Sequence, residues 1–323
     1  MTPDEIKAAL CAEAARLGFI ACGIAPAGPV GEPSANAFRT WIDEGMHDCM
    51  AYMANNMDKR LDPALLVPGA RSIVAVALSY HPREFMPASS LRLSSYAYGR
   101  DYHDVMRERL AQLFAYLRIL CGGTVGGRTF CDTAPVMERY WAWRAGLGWM
   151  GKHCNLIIPG AGSMVFLGEI VCDIELPPDI PMPSRCGNCT ACLAACPTGA
   201  LCAPHRLDAR LCLSCQTIER RGALAPSTVS RLDGRIYGCD NCQTACPWNR
   251  DAAPTTIEEF APSPELMSMT PSDWERLDET RYRRLFKGSA VKRAKYAGLM
   301  RNIRAALHGD CGGDGGQNDG STV

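Results

Sequence analysis

Apolar residues recur along the chain with two different periods. Between Tyr102 and Cys121, Met106, Leu110, Leu113, Leu117 and Leu120 return at steps of four and three, while Arg107, Glu108 and Arg118 fall on other faces, which predicts an amphipathic helix. Two stretches are almost continuously apolar: SIVAVALSY from Ser72 to Tyr80, and SMVFLGEIVCDIEL from Ser163 to Leu176. The second follows the turn-prone Pro159-Gly160-Ala161-Gly162, and both read as buried strands of one sheet. Alternating helical and extended patterns up to about Leu176 predict layered α/β structure. Pro177, Pro178, Pro181 and Pro183 then fix φ and remove donors, marking a domain boundary. After Trp248 the pattern turns helical again through Ala290 to Leu307, and the closing GDCGGDGGQNDGSTV cannot build a core, so a disordered tail is expected. The resulting units are residues 1–177, 178–252, a helical segment 253–308 and a tail 309–323.

With 323 residues, 47% of them hydrophobic, the chain can bury an extensive core. No run of eighteen apolar residues is present, so no membrane span is expected. The first residues carry Asp4 and Glu5 at the start of an amphipathic pattern and lack the basic-then-apolar order of an export signal, which makes a cytoplasmic location the expectation. A net charge of zero conceals two basic stretches. One contains Arg206, Arg210, Arg220, Arg221, Arg231 and Arg235; the other runs from Arg281 to Arg304.

Of 18 cysteines, ten lie between Cys186 and Cys246, too concentrated and in too long a chain for a secreted disulfide scaffold. The others read as small core hydrophobes. The run Cys186-x-x-Cys189-x-x-Cys192-x-x-x-Cys196-Pro197 has the spacing of bacterial ferredoxins, in which three thiolates hold one [4Fe–4S] cluster and the fourth serves its neighbour. Cys239-x-x-Cys242-x-x-x-Cys246-Pro247 repeats the ending of that run with one cysteine fewer. By the swapped arrangement Cys246 joins Cys186, Cys189 and Cys192, and Cys196, Cys239 and Cys242 need one more ligand. Cys212 and Cys215 both suit, with Cys202 a third candidate. Paired C-x-x-C elements also serve zinc, but the full run is far more specific. Two clusters make a one-electron wire, and the size of the N-terminal part implies a second cofactor where the electrons are used.

The sequence around the ladder, CGNCTACLAACPTGAL, LCLSCQTIERRG and IYGCDNCQTACPWN, closely resembles tRNA epoxyqueuosine reductases. The resemblance extends upstream through Lys59-Arg60, LVPGARSIVAVALSY, YGRDYHDVMRERL and CDTAPVMERYWAWRAGLGWMGKHCNLI, and covers the chain to about Leu307. It implies a mixed α+β or α/β fold: a nitroreductase-like cobalamin-binding domain followed by a ferredoxin-like domain with two [4Fe–4S] clusters. The implied activity is reduction of epoxyqueuosine to queuosine at the wobble position of tRNA. The family's C-[IL]-S-x-x-T run, matched by Cys212-Leu213-Ser214-Cys215-Gln216-Thr217, implies Cys212 as the remaining ligand. The family's general acid falls on Asp132; otherwise this residue reads as a cap for a helix starting near Val136. Corrin contacts carry over to Arg60, Asp132, Leu156, Leu167 and Ser214, with Gly151-Lys152 nearby, whereas His153 stands where the family commonly has Asn.

In the implied mechanism the clusters deliver electrons singly to cobalt, and Asp132 protonates the epoxide oxygen as the ring opens. Such an acid should be protonated near neutral pH, favoured by burial and distance from cations. Asp101-Tyr102-His103 begins like a D-x-H-x-x-G cobalt-ligand motif but lacks the glycine, so His103 reads as a helix-start residue. The basic stretches fit an anticodon loop, with Arg220 and Arg221 the preferred RNA contacts. An external electron donor is required, and a monomer is expected. Many relatives continue into further helical repeats, whereas here one such helix is expected. Two other readings are a reductive dehalogenase-like corrinoid enzyme, opposed by the TIE, YGCD and CPWN matches, and a plain electron carrier, which predicts clusters without cobalt.

Overall fold

In the computed structural model residues 1–310 are described; Cys311 and nearly all of the expected tail lie outside them. Four strands form one sheet in the order Ala21–Pro26, Ser72–Ser79, Val165–Cys172, Gly127–Phe130, and every neighbouring pair is antiparallel. The two apolar runs are therefore adjacent central strands, paired from Ser72 with Cys172 to Ser79 with Val165. All eight residues of Ser72–Ser79 are buried, because both faces of the sheet are covered. On one face Val74, Val76, Leu78 and Ile170 pack against Leu10 of the helix Pro3–Arg16 and against Met106, Leu110, Leu113 and Leu117 of the helix Tyr102–Leu120. On the other, Ile73, Ala75, Ala77 and Val171 pack against Trp141 and Ala142 of the helix Glu138–Arg144. The layers follow the expectation, but the pairing is antiparallel, so the fold is α+β. Burial on both faces produces the continuous apolar runs usually associated with parallel strands.

The short helix Glu138–Arg144 is held close to the sheet by a small residue opposite it. A Cβ built on Gly23 would lie 2.0 Å from the carbonyl oxygen of Ala145. Gly23→Ala is expected to push this helix end off the edge strand and cost about 1–3 kcal/mol, measured as a drop in the midpoint of thermal unfolding.

Residues 177–185 have no regular structure, yet Asp179 fastens them to the sheet by accepting from the backbone N of Ile24 at 2.8 Å and from Lys7 Nζ at 2.7 Å. In the ladder region the short helices Ala191–Ala194 and Asn241–Thr244 occupy matching places in the two runs and pack on each other. Gln243 and Asn249 anchor the second run to the N-terminal part through buried hydrogen bonds with Ser163: Gln243 Nε2 donates to its carbonyl at 2.8 Å, and Asn249 Oδ1 accepts from its N–H at 2.6 Å. The C-terminal segment wraps both regions. Ile257 and Phe260 join the sheet core, while Leu266, Trp274, Leu299 and Ile303 pack around Leu93 and Ile236, which lie on the parallel strand pair Arg92–Leu93 and Arg235–Tyr237. The expected last helix runs from Lys295 to His308 and closes on Gly309 at φ 71°. Among the described residues no helix is long and apolar enough to cross a membrane.

Candidate active site

Strand Gly127–Phe130 ends in a tight turn in which the N–H of Thr133 bonds to the carbonyl of Cys131 at 2.6 Å and Asp132 takes φ 58°. Left-handed backbone at a residue other than glycine is uncommon and concentrates at functional sites. Asp132 caps nothing: the following helix begins at Glu138, its N-cap is Met137, and no side chain caps it. The carboxylate is flanked by protein but keeps 56% of its side-chain surface open, so it faces a recess.

Two residues from the start of the long helix reach it. Tyr102 Oη donates to Asp132 Oδ2 at 2.6 Å, and His103 Nε2 lies 3.1 Å from the same oxygen. The other imidazole nitrogen, Nδ1, is 2.6 Å from Oδ1 of Asp101, the N-cap of that helix, whose Oδ2 meets Lys292 Nζ at 2.8 Å. The imidazole stacks on Tyr102, which stacks on Phe166. Burial works against a charged imidazole, but hydrogen bonds to Asp101 and Asp132 outweigh it and raise His103 to about 9. Burial likewise opposes the charge on Asp132, yet bonds from His103 and Tyr102 hold its carboxyl below the ordinary range. The expectation of a neutral Asp132 far from cations is thus reversed: at neutral pH the proton sits on His103. Both His103 nitrogens face carboxylate oxygens.

A second carboxyl borders the turn. Glu138 Oε1 accepts from the backbone N–H of Asp132, and burial together with the Asp132 charge pushes Glu138 up to about 8. Behind it Glu169 is fully buried with both carboxylate oxygens unpartnered, and burial raises it well above the usual range.

The expected corrin contacts are disposed unequally. Arg60 is buried, with its NH2 group on the Tyr52 carbonyl at 3.2 Å and its Nε without a partner. Leu156 and Leu167 are buried in the core at 1% and 9% exposure, so Leu156 offers no side-chain surface. Ser214 is partly open on the helix Leu213–Ile218. Lys152 reaches the ladder, donating to the carbonyls of Gly187 at 2.6 Å and Cys189 at 2.9 Å. His153 is buried and neutral, lowered to about 4 by burial and then by Arg139.

The ladder thiols fall into two neighbouring sets. Cys186, Cys189 and Cys192 sit with Cys246, and Cys196 and Cys212 sit with Cys239 and Cys242. Cys215 faces Cys49 instead, and Cys202 is exposed. Backbone N–H groups bond to the sulfurs, from Ser214 and Cys215 to Cys212, from Asn241 to Cys239 and from Trp248 to Cys246. A mononuclear zinc site needs sulfurs about 3.8 Å apart. Among the described residues, the only three potential ligand atoms mutually within 4.8 Å belong to Asp48, Cys49 and Cys215, outside both sets. The two sets lie near the recess: Arg139, which neighbours Asp132, donates to the Cys154 carbonyl at 2.9 Å, and Cys154 is in range of Cys192 and Cys212.

Two family models match this chain: "Epoxyqueuosine reductase QueG, DUF1730" over residues 60–133 and "4Fe-4S double cluster binding domain" over residues 185–249. An epoxyqueuosine reductase from Cellulophaga algicola is 44% identical over 94% of this chain and 98% of its own length. The chain belongs to the epoxyqueuosine reductase family. The Escherichia coli epoxyqueuosine reductase is 40% identical over 85% of this chain and 73% of its own length. A crystal structure of an epoxyqueuosine reductase with an epoxyqueuosine-modified tRNA-Tyr stem loop superposes with a TM-score of 0.86 at 32% identity, covering 94% of this chain and 81% of that one. A Bacillus subtilis epoxyqueuosine reductase, solved with its catalytic aspartate loop swung out of the active site, superposes with a TM-score of 0.85 at 31% identity over the same shares.

The sequence pointed to Asp132 as the candidate acid but gave no sign that Tyr102 and His103 bond to it, that Asp101 holds His103, or that Glu138 borders it. The nearest signal was local: three side chains able to exchange protons, Asp101-Tyr102-His103, stand together at a helix start. Of the preferred RNA contacts, Arg220 is engaged internally, 3.0 Å from Asp48 Oδ1, whereas Arg221 stays exposed while bonding to the carbonyls of Ile218 and Arg293.

Proposed function

We propose that this chain reduces epoxyqueuosine in the anticodon loop of tRNA to queuosine, with two [4Fe–4S] clusters and cobalamin, in the cytoplasm and as a monomer served by an external one-electron donor. The observation that carries it is a half-open aspartate hydrogen-bonded to a tyrosine and a histidine, beside two four-thiol sets, in a chain of this family. Cys186, Cys189, Cys192 and Cys246 hold one cluster; Cys196, Cys212, Cys239 and Cys242 hold the other. The unpartnered Nε of Arg60 and the partly open Ser214 fit a large polar ligand. Cobalamin, when bound, supplies a strongly reducing, nucleophilic cobalt centre. Asp132 receives a proton at Oδ2 from His103 Nε2 and delivers it to the epoxide oxygen. Asp101 and Lys292 keep the imidazole oriented, and Tyr102 fixes the carboxylate plane. The direct test is incubation of the reconstituted enzyme with an epoxyqueuosine stem loop and a low-potential donor: queuosine by nucleoside mass spectrometry is expected, and unchanged epoxyqueuosine would defeat the reading.

The pH profile follows from His103. Because its pKa is raised to about 9, His103 keeps its proton and its pairing with Asp132 through neutral pH and loses both as the pH rises through about 9. Single-turnover rates are expected to hold through neutrality and to fall as the pH passes about 9. His103→Gln should lower the rate at neutral pH and abolish this alkaline limb.

Arg221 and Arg220 are the proposed phosphate contacts. Stem-loop affinity should weaken with rising salt, and Arg221→Glu should weaken it further at low salt while leaving the iron content unchanged, as read by fluorescence anisotropy.

A further inference from the structure

The thiol pair outside both four-cysteine sets has a chemistry of its own. After the helix Glu32–Asp43 the chain turns through Gly45 at φ 66° and Asp48 at φ 50°, and this turn lies against the helix Leu213–Ile218. The contact is specific: Ala209 N bonds to the Met46 carbonyl at 2.8 Å, Gln216 Nε2 to Asp48 Oδ2 at 2.8 Å, and Arg220 to Asp48 Oδ1 at 3.0 Å. It leaves the exposed Cys49 facing the buried Cys215, with both sulfurs and an Asp48 oxygen mutually within 4.8 Å. A cation is poorly served here. Both Asp48 oxygens already accept from donors, and one donor is the positive guanidinium of Arg220. What remains is two thiols of unequal access, one reachable from solvent and one able to react only with its neighbour.

We propose that Cys49 and Cys215 are a disulfide-forming pair, oxidised by a low-molecular-weight disulfide of the glutathione type. The Cys49 thiolate attacks the small disulfide, forming a mixed disulfide and releasing one small thiol. Cys215 then attacks the Cys49 sulfur and releases the second. The protein pair loses two electrons and two protons, and the small disulfide becomes two thiols. The sulfurs must close to about 2.05 Å, a matter of side-chain rotation from their present separation. The bond would tie the segment leading to Tyr52, whose carbonyl holds Arg60, to the helix carrying Ser214. The proposal rests on Cys212, not Cys215, completing the second cluster.

The test uses anaerobically prepared protein with its clusters, treated with oxidised glutathione at about pH 8.5 because burial and then Asp48 raise the Cys49 thiol. After acid quench and alkylation, a non-reducing peptide map is expected to show a Cys49–Cys215 link that dithiothreitol removes, with the iron content unchanged. Cys215→Ser should instead accumulate a stable glutathione adduct on Cys49, and Cys49→Ser should show neither bridge nor adduct at Cys215. A persistent adduct on Cys49 in the native chain, both thiols free after treatment, or thiols protected by added zinc alone would each overturn the proposal while leaving the cluster assignment intact. Iron lost from Cys215→Ser before any oxidant is added would overturn both.

Discussion

Asp132→Asn is expected to leave both clusters in place and lower turnover by about 10²–10⁴-fold, the usual worth of a positioned general acid. The substitution is mild in every respect but one. Asparagine tolerates the left-handed backbone that Asp132 adopts at φ 58°, and its amide oxygen can still accept from Tyr102. It cannot relay a proton from His103. Iron content and visible absorption should therefore match the native protein while queuosine formation in a single turnover collapses. Glu138 is the informative control, since it is the neighbouring carboxyl that burial keeps protonated near neutrality. Glu138→Gln is expected to retain most of the rate. If Asp132→Asn keeps its rate and Glu138→Gln loses it, the acid is Glu138 and the relay from His103 is excluded.

The contrast between these two carboxyls shows where sequence reasoning stops. Asp132 was legible because it lies in a local run, CDTAPVMERYWAWR, with a recognisable shape. Its protonation state was not, because that depends on His103, 29 positions earlier, brought alongside only when the long helix packs on the sheet. The same holds for the sheet. Two continuous apolar runs announced buried strands, but burial on both faces removes the alternation that would have exposed their antiparallel pairing. Glu169 was a signal left unread: a lone carboxylate inside SMVFLGEIVCDIEL faces the side of the sheet covered by Trp141 and Ala142, behind the recess. The cluster thiols were the most legible feature, since their spacing is itself the local geometry that wraps a cluster. Spacing alone left Cys212 and Cys215 both open; the family's C-[IL]-S-x-x-T run implied Cys212, and the fold sets Cys212 beside Cys196, Cys239 and Cys242.

That choice sets the second large effect. Cys212→Ser is expected to lower the iron content from about eight to about four per chain and to abolish queuosine formation, whereas Cys215→Ser should keep all the iron. The two residues are three apart in one helical turn, yet they point to different partners. Cys212, at the N-cap, lies with Cys196, Cys239 and Cys242 and receives N–H groups from Ser214 and Cys215; Cys215, one turn on, is directed at Cys49 and Asp48. With Cys212 as ligand, such bonds would stabilise the negative charge on its sulfur and raise the cluster potential, so the N-cap position would both place the ligand and ease reduction of the cluster. Serine at 212 removes the sulfur and strands the other three thiols of that set, interrupting the one-electron path. The other set, closed by Cys246, should survive. Iron analysis with electron paramagnetic resonance of the dithionite-reduced protein measures both outcomes: one cluster signal lost for Cys212→Ser with none lost for Cys215→Ser is expected, and the reverse pattern would move the ligand to Cys215.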